Sequence, residues 1–253
     1  MIRSLAFVSL ITLAASSARG EDLVSGISQD QIQITSNYAG TDIVVFGAIE
    51  SPEAGEGAGK RDVVVVVRGP PADFSVRRKV WVAGIWINRD EIVLRGLPGY
   101  YYIASTRHLS KIAQFDTLDR YQLGPDNLQP KSASTRSPKK AEPFRLAAIR
   151  SRLQASLYGT APQGVEFLSY ALFRVRVPVP ASVPRGQYTV EVYLFRDGNV
   201  VSAQTTPLYI EQIGLERRLF NLAHDWPFEY GFATVVMAGL LGWGSSFLFR
   251  RSA

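Results

Sequence analysis

The sequence contains no cysteine, and His108 and His224 are the only two histidines among its 253 residues. Without thiols the chain cannot form disulfides, thiolate zinc sites, iron–sulfur ligation or a cysteine nucleophile. The two histidines lie in different segments, and neither has a carboxylate or a second histidine at a ligand spacing. There is also no GxSxG motif and no ordered spacing of Ser, His and an acid. We therefore predict no metal, no cofactor and no catalytic residue.

A phosphate-binding loop is absent as well. Residues 55–61 resemble such a loop, but only three residues, rather than four, separate Gly55 from the Gly59-Lys60 pair. Arg61 also occupies the position at which Ser or Thr would bind magnesium. This run also precedes a valine-rich strand, whereas a phosphate loop follows a strand and opens a helix. We therefore predict no nucleotide site.

The N-terminus has the organisation of a secretory signal peptide. Arg3 precedes an apolar run over residues 5–15, and small residues follow at Ser16, Ala18 and Gly20. Cleavage after Ala18 and cleavage after Gly20 both fit. An uncleaved anchor helix is the alternative, although the run is too short to span a bilayer. We expect residues 1–20 to direct export.

The C-terminus has the pattern of a stop-transfer segment. Residues 230–249 carry no charge, and their number matches a membrane-spanning helix. Trp226 and Tyr230 occupy the place of interfacial anchors, while Arg250 and Arg251 would hold a short tail over residues 250–253 in the cytoplasm. The prediction is a single-pass protein of the bacterial inner membrane, with its body in the periplasm and its C-terminus in the cytoplasm.

Two further features accompany the predicted span. Ala238, Gly242 and Ser246 form a row of small residues, which favours close packing with a second helix, either of a homodimer or of a membrane protein partner. Residues 213–229 place apolar side chains at helical spacing and predict a juxtamembrane helix on the bilayer surface. An extension of the transmembrane helix that packs on the body is an equal alternative.

The formal net charge of +6 does not indicate a nucleic-acid-binding protein. Four of the 28 basic residues lie in the predicted signal peptide and cytoplasmic tail, which leaves 24 against 22 acidic residues in the exported body. That net charge of +2 predicts no nucleic-acid partner.

The body, residues 21–212, is rich in β-branched and aromatic residues. Alternating or continuous apolar runs predict the following strands: 31–35, 42–49, 62–67, 80–88, 173–179 and 188–194. Asp197-Gly198 predicts a hairpin turn after the last of these. The strand over 80–88 includes Trp81, Ile85, Trp86 and Ile87 among its apolar side chains. These patterns predict a mainly β fold, an immunoglobulin-like antiparallel sandwich.

A helical insertion at about 105–160 interrupts the strands. Short helices are predicted over 107–123, and a longer helix over 144–158, which Gly159 ends. Between them, residues 129–143 hold three prolines, several serines and four basic residues, which is typical of a flexible loop. A second, smaller β unit from about Gly164 onward is the alternative organisation.

Tyr100, Tyr101 and Tyr102 form an unusual aromatic run. In a strand Tyr101 would face away from the other two, so at least one ring would be exposed and could contact a sugar or a partner. Core tyrosines whose hydroxyls reach solvent are nevertheless the commoner arrangement of such residues. An alternative function as a hydrolase would depend on His108 acting with Asp116.

Several segments together resemble the alphaproteobacterial putative transmembrane protein family. They are residues 31–34 (QIQI), 40–47 (GTDIVVFG), 101–105 (YYIAS), 144–147 (FRLA), 184–188 (PRGQY) and 230–233 (YGFA). The resemblance implies a signal peptide, an exported body and one C-terminal span, and it brings no established activity. It also implies a membrane partner, a permease of the sulfite-exporter type. We expect a noncatalytic accessory or interaction subunit of a membrane complex in contact with the lipid bilayer; the alternatives are a periplasmic hydrolase and a glycan-binding envelope protein.

Overall fold

The computed structural model of the chain describes residues 22–34, 38–50, 61–134, 137–212 and 222–249. The strands within these ranges are β1 (Asp22–Ile27), β2 (Gln31–Ile34), β3 (Thr41–Glu50), β4 (Arg61–Arg68), β5 (Pro71–Val82), β6 (Ile85–Pro98), β7 (Tyr101–Ser105), β8 (Ser132–Ala133), β9 (Tyr158–Pro162), β10 (Val165–Phe167), β11 (Leu172–Val179), β12 (Gly186–Arg196) and β13 (Asn199–Gln212). The α-helices are α1 (Leu109–Ile112), α2 (Phe115–Arg120), α3 (Pro138–Gln154) and α4 (Pro227–Phe249). The predicted signal peptide, the glycine-rich run over 51–60 and the tail over 250–253 lie outside the described residues.

Two sheets form a sandwich around one hydrophobic core. One has the order β1-β3-β11-β10 and the other the order β2-β13-β12-β4-β7-β9. All pairs are antiparallel except β2 with β13 and β7 with β9, which are parallel. The prediction of a mainly β fold is confirmed. In immunoglobulin lettering the first order is A-B-E-D, and the second, after the short edge strand β2, is G-F-C-C′-C″.

The start of β12 repeats a further immunoglobulin feature. The hydroxyl of buried Tyr188 donates a hydrogen bond to the carbonyl oxygen of Pro184, 2.5 Å away, as in a tyrosine corner. Val190, two residues later, stands where antibody domains carry the second cysteine of their disulfide. Because the chain has no thiols, apolar packing alone joins the two sheets at this point.

Strand β4 lies in the interior of its sheet and packs on both sides. Its five consecutive valines, residues 63–67, are all buried, which explains the continuous apolar run. Strands β11 and β12, which follow Gly164, pair with β3 and β4 from the first half of the chain. Both halves therefore contribute strands to both sheets.

The helical insertion follows β7. Helices α1 and α2 confirm the short helices predicted over 107–123. Helix α3 begins at Pro138 and ends at Gln154, so it starts and stops earlier than predicted, and β8 pairs with β6. The predicted flexible loop over 129–143 therefore contains a short strand and the first turns of a helix. Buried Arg145 stabilises this arrangement, because its guanidinium donates hydrogen bonds to the carbonyl oxygens of Asp126 and Leu128.

The single strand predicted over residues 80–88 is wrong. The chain turns at Ala83-Gly84, where φ is +48° and +90°, and the two arms β5 and β6 pair as an antiparallel hairpin. Positive φ at both central residues is the mark of the type I′ turn, whose twist matches that of the flanking strands. This hairpin and β8 form the third sheet.

The C-terminal helix requires a correction. In the described part of the chain no helix is both long enough and apolar enough to cross a membrane, so the transmembrane helix predicted over residues 230–249 is overturned. Glu229 in the first turn of α4, and a series of glycines after it, lower the hydropathy of the part whose side chains are described, residues 227–245.

The residues assigned to that span are affected as well. Trp226 is exposed and Tyr230 half-buried, and they no longer have a span to anchor. Ala238 and Gly242 are exposed, and a Cβ added at Gly242 would meet nothing within 4 Å. The side chains of Ser246, Arg250 and Arg251 lie outside the described residues, as does most of the predicted juxtamembrane helix over 213–229.

Candidate interaction site

The residues considered for catalysis are not brought together in a cavity. His108 is exposed beside α1, and Asp116 is exposed on α2. The depression beside these helices measures about 500 Å³ and is lined by polar residues that include Arg107 and Lys111, but by neither His108 nor Asp116. Among the described residues no three acidic or histidine side chains are grouped so that they could hold a metal ion.

The tyrosine run belongs to the core rather than to a surface. Tyr100 and Tyr101 are fully buried, and Tyr102 is half-buried with its ring over Gly159. The hydroxyl of Tyr100 donates to the carbonyl oxygen of Pro178 in the opposite sheet. The contact surface predicted at these three residues is therefore corrected. Tyr100 precedes β7, so the simple alternation expected for a strand does not apply to it.

Tyr101 ties the insertion to the sandwich. Its hydroxyl donates to the carbonyl oxygen of Gln122, at 3.1 Å, and accepts a hydrogen bond from the backbone N–H of Gly124, at 2.8 Å. The guanidinium of Arg68 lies 5.3 Å from the centre of its ring. Burial raises the pKa of this phenol, because the charged form would lose its hydration.

Burial also raises the pKa of four other tyrosine hydroxyls. We call these five residues the tyrosine set: Tyr100, Tyr101, Tyr158, Tyr188 and Tyr193. Each hydroxyl in the set donates a hydrogen bond to a carbonyl or carboxylate oxygen. Their role is therefore structural.

A buried ion pair closes one end of β4. Asp62, which is buried, accepts hydrogen bonds from the hydroxyl of Thr106 at 2.7 Å and from Nε of Arg107 at 2.6 Å. A second guanidinium nitrogen of Arg107 contacts the other carboxylate oxygen. These contacts satisfy the carboxylate completely, so it is a structural group rather than a catalytic one.

The β5–β6 hairpin projects from the body. At its base, Phe74 and Ile92 are buried, and the guanidinium of Arg152 on α3 lies 4.1 Å from the centre of the Phe74 ring. From Arg77 outward to the turn and back to Glu91, the side chains are exposed apart from half-buried Val80 and Asp90. The base is therefore fixed to the domain while the outer part is covered by no described residue.

The outermost residues, 80–87, are apolar on both faces; we call them the hairpin tip. Trp81 lies opposite Trp86, with ring centres 5.2 Å apart in an edge-to-face arrangement, and the two side chains are 56% and 64% exposed. On the other face Val82 lies opposite Ile85, which is 62% exposed. Because opposite residues share a face and neighbours alternate, the tip has no polar side.

Basic side chains surround the hairpin tip. Arg77 pairs with Glu91 at 3.2 Å, and Arg78 pairs with Asp90. Lys79 and Arg89, which are nearest to the tip, are exposed and form no ion pair with any described residue. The hairpin therefore places two uncompensated positive charges directly behind an apolar tip.

The hairpin and the C-terminal part of the chain leave the sandwich at the same end. Gly186 at the start of β12 pairs with Ile210 near the end of β13, and a Cβ added at Gly186 would lie 3.3 Å from Pro70, immediately before β5. Beyond β13 lies α4, whose side chains at Phe228 and Trp243 are highly exposed. The base of the hairpin and the end of β13 therefore lie at one end of the sandwich.

Sequence comparison supplies one match. The model of a family described as putative transmembrane protein (Alph_Pro_TM) matches residues 22–251. No curated protein matches the chain.

Proposed function

We propose that this chain, which belongs to the putative transmembrane protein family, is a noncatalytic interaction subunit of a membrane complex. Its immunoglobulin-like body would lie in the periplasm and present the hairpin tip as a contact surface. The observation that carries the proposal is the exposure of Trp81, Ile85 and Trp86 at the end of a projecting hairpin.

The exposure of the hairpin tip is unfavourable unless another surface covers it. A soluble domain rarely exposes a contiguous apolar patch, and such patches mark interaction sites. Two strands without a packed face are also only marginally stable in water. Trp81 and Trp86 therefore gain most from a contact that removes them from solvent, as tryptophan does at interfaces.

The polar groups of the body support a noncatalytic role. The buried carboxylate of Asp62 and the buried guanidinium of Arg145 are engaged in structural contacts. The hydroxyls of the tyrosine set are likewise occupied by hydrogen bonds. A catalytic site needs an accessible group with a perturbed pKa in a cleft, and these groups are directed into the fold instead.

The partner within the complex is proposed as a membrane protein, of which a sulfite-exporter-type permease is one example, or as a second copy of this chain. The hydrolase reading with His108 and Asp116 gains no support from the depression beside them. The glycan hypothesis required an exposed ring among Tyr100, Tyr101 and Tyr102, but the first two are buried and the third is half-buried over Gly159.

Photo-crosslinking in native membranes tests the contact surface. A photoreactive residue at Ile85 of the full chain should form crosslinks, because the hairpin tip would be covered in the assembled state. The same residue at Val201, an exposed position on β13, is the matched control and should form few. Absence of any crosslink from Ile85, to protein or to lipid, would refute the proposed function.

A further inference from the structure

We infer that the hairpin tip inserts into the lipid–water interface of an anionic membrane. This inference rests on the proposed function, in which the hairpin tip is a contact surface. It specifies that the tip contacts anionic lipid. It concerns residues 77–91 alone and requires no helix that crosses the bilayer.

The shape of the hairpin tip favours lipid over a protein groove. A groove covers one face of a strand pair and leaves the other in water. Here the Trp81–Trp86 pair occupies one face, and Val82 and Ile85 occupy the other, all of them exposed. Lipid chains and headgroups surround an inserted element on all sides, so both faces lose contact with water together.

The order of residues along the arms matches the layers of a membrane surface. At about 3.4 Å per residue, Lys79 lies roughly 14 Å from the turn at Ala83. Apolar side chains therefore occupy the deepest part, tryptophans lie at the level they prefer, and the cations of Lys79 and Arg89 reach the headgroups. Burial to about 5–10 Å is typical of elements that lie in the interface.

The position of the positive charge indicates anionic headgroups. The Arg77–Glu91 and Arg78–Asp90 pairs, further from the tip, are neutral as pairs. Lys79 and Arg89 are left to interact with the membrane, and basic residues at this depth bind phosphate-bearing anionic lipid. The base of the hairpin lies at the end of the sandwich where β13 finishes.

A single fluorescent label tests the inference. The chain has no cysteine, so Ile85→Cys in the full chain takes one environment-sensitive probe, and Val201→Cys provides a control on another exposed apolar site. With vesicles that contain phosphatidylglycerol, the Ile85 probe should shift to the blue and brighten severalfold. The Val201 probe should change little. Vesicles of phosphatidylcholine alone should give a much smaller response at Ile85.

Charge variants test the electrostatic part. Lys79→Ala with Arg89→Ala should weaken the vesicle response of the Ile85 probe roughly twentyfold. Lys111→Ala with Arg120→Ala removes the same charge from exposed positions outside the hairpin and should leave the response nearly unchanged. Thermal unfolding of both double variants should be unaltered, because each of the four side chains is exposed.

The possible outcomes separate the two proposals. The lipid inference is overturned if the Ile85 probe responds to no vesicle while Ile85 crosslinks to protein in native membranes. That result leaves the proposed function intact. Failure of both measurements overturns both proposals. Equal responses to the two vesicle types, or equal weakening by the two charge pairs, would overturn the anionic recognition.

Discussion

Replacing Tyr101 by phenylalanine removes one oxygen atom from the interior and keeps the ring. That oxygen accepts the N–H of Gly124 and donates to the carbonyl oxygen of Gln122. The carbonyl of Gln122 keeps a second donor, Nη2 of Arg68 at 3.2 Å, but the buried N–H of Gly124 loses its side-chain acceptor. The variant therefore leaves one donor unsatisfied.

The magnitude follows from that orphaned donor. An unsatisfied buried polar group destabilises the folded state by about 1–3 kcal/mol. In a domain of this size, each kcal/mol lowers the unfolding temperature by about 2–4 °C. We therefore expect Tyr101→Phe to unfold about 4–8 °C below the unchanged chain in a calorimetric or circular-dichroism melt, for a mid-range loss of about 2 kcal/mol.

Tyr102→Phe is the matched control. It makes the same chemical change one residue along the chain, where the ring is half-buried over Gly159. Its unfolding temperature should fall much less. Equal melts for the two variants would refute the assignment of Tyr101 to the contact between the insertion and the sandwich.

Three other perturbations have definite outcomes. Arg107→Ala leaves the buried Asp62 carboxylate without its cation and should lower the free energy of unfolding by about 2 kcal/mol in a urea titration, whereas Arg77→Ala, in an exposed pair, should change it little. A Cβ at Gly47 would lie 2.5 Å from the ring of Phe173, so Gly47→Ala should destabilise by about 1–3 kcal/mol in the same assay. Burial raises the pKa of the tyrosine set in the folded state, so the unfolded chain releases these protons first and stability should fall as pH rises above about 10. Tyrosinate absorbance from the set should then appear together with unfolding, and gradual titration in the folded domain would contradict this.

Local patterns in the sequence predicted the parts of the fold that local interactions determine. The β12–β13 hairpin follows from alternation on both sides of Asp197-Gly198, and the burial of β4 follows from its valines. The parallel pairing of β2 with β13 joins segments about 180 residues apart, for which no local pattern exists. The segment Pro184-Arg185-Gly186 before Tyr188 can be seen in the sequence. Only the strand order, however, identifies Tyr188 as the residue of a tyrosine corner.

The hairpin tip could not be recognised from its apolar pattern alone. Residues 80–88 have the composition of a buried strand, and Ala83-Gly84 is not the Asn-Gly or Asp-Gly pair that usually announces a two-residue turn. The signal that was present is symmetry: Trp81 and Trp86 are equidistant from the turn, and basic residues flank the apolar run on both sides. The C-terminal span was overpredicted because only the absence of charge was counted, whereas the glycines within it also lower its mean hydropathy.

The distribution of charge gives a separate argument for the role of the hairpin. Residues 21–249 carry 24 basic and 22 acidic side chains, a net charge of +2. The hairpin from Arg77 to Glu91 has four basic and two acidic side chains, a net charge of +2. Because Arg77 and Arg78 are paired with Glu91 and Asp90, the charges of Lys79 and Arg89 remain to attract an anionic surface toward the hairpin. Since attraction over a Debye length orients a molecule before contact, the domain would approach such a surface with Trp81 and Trp86 foremost.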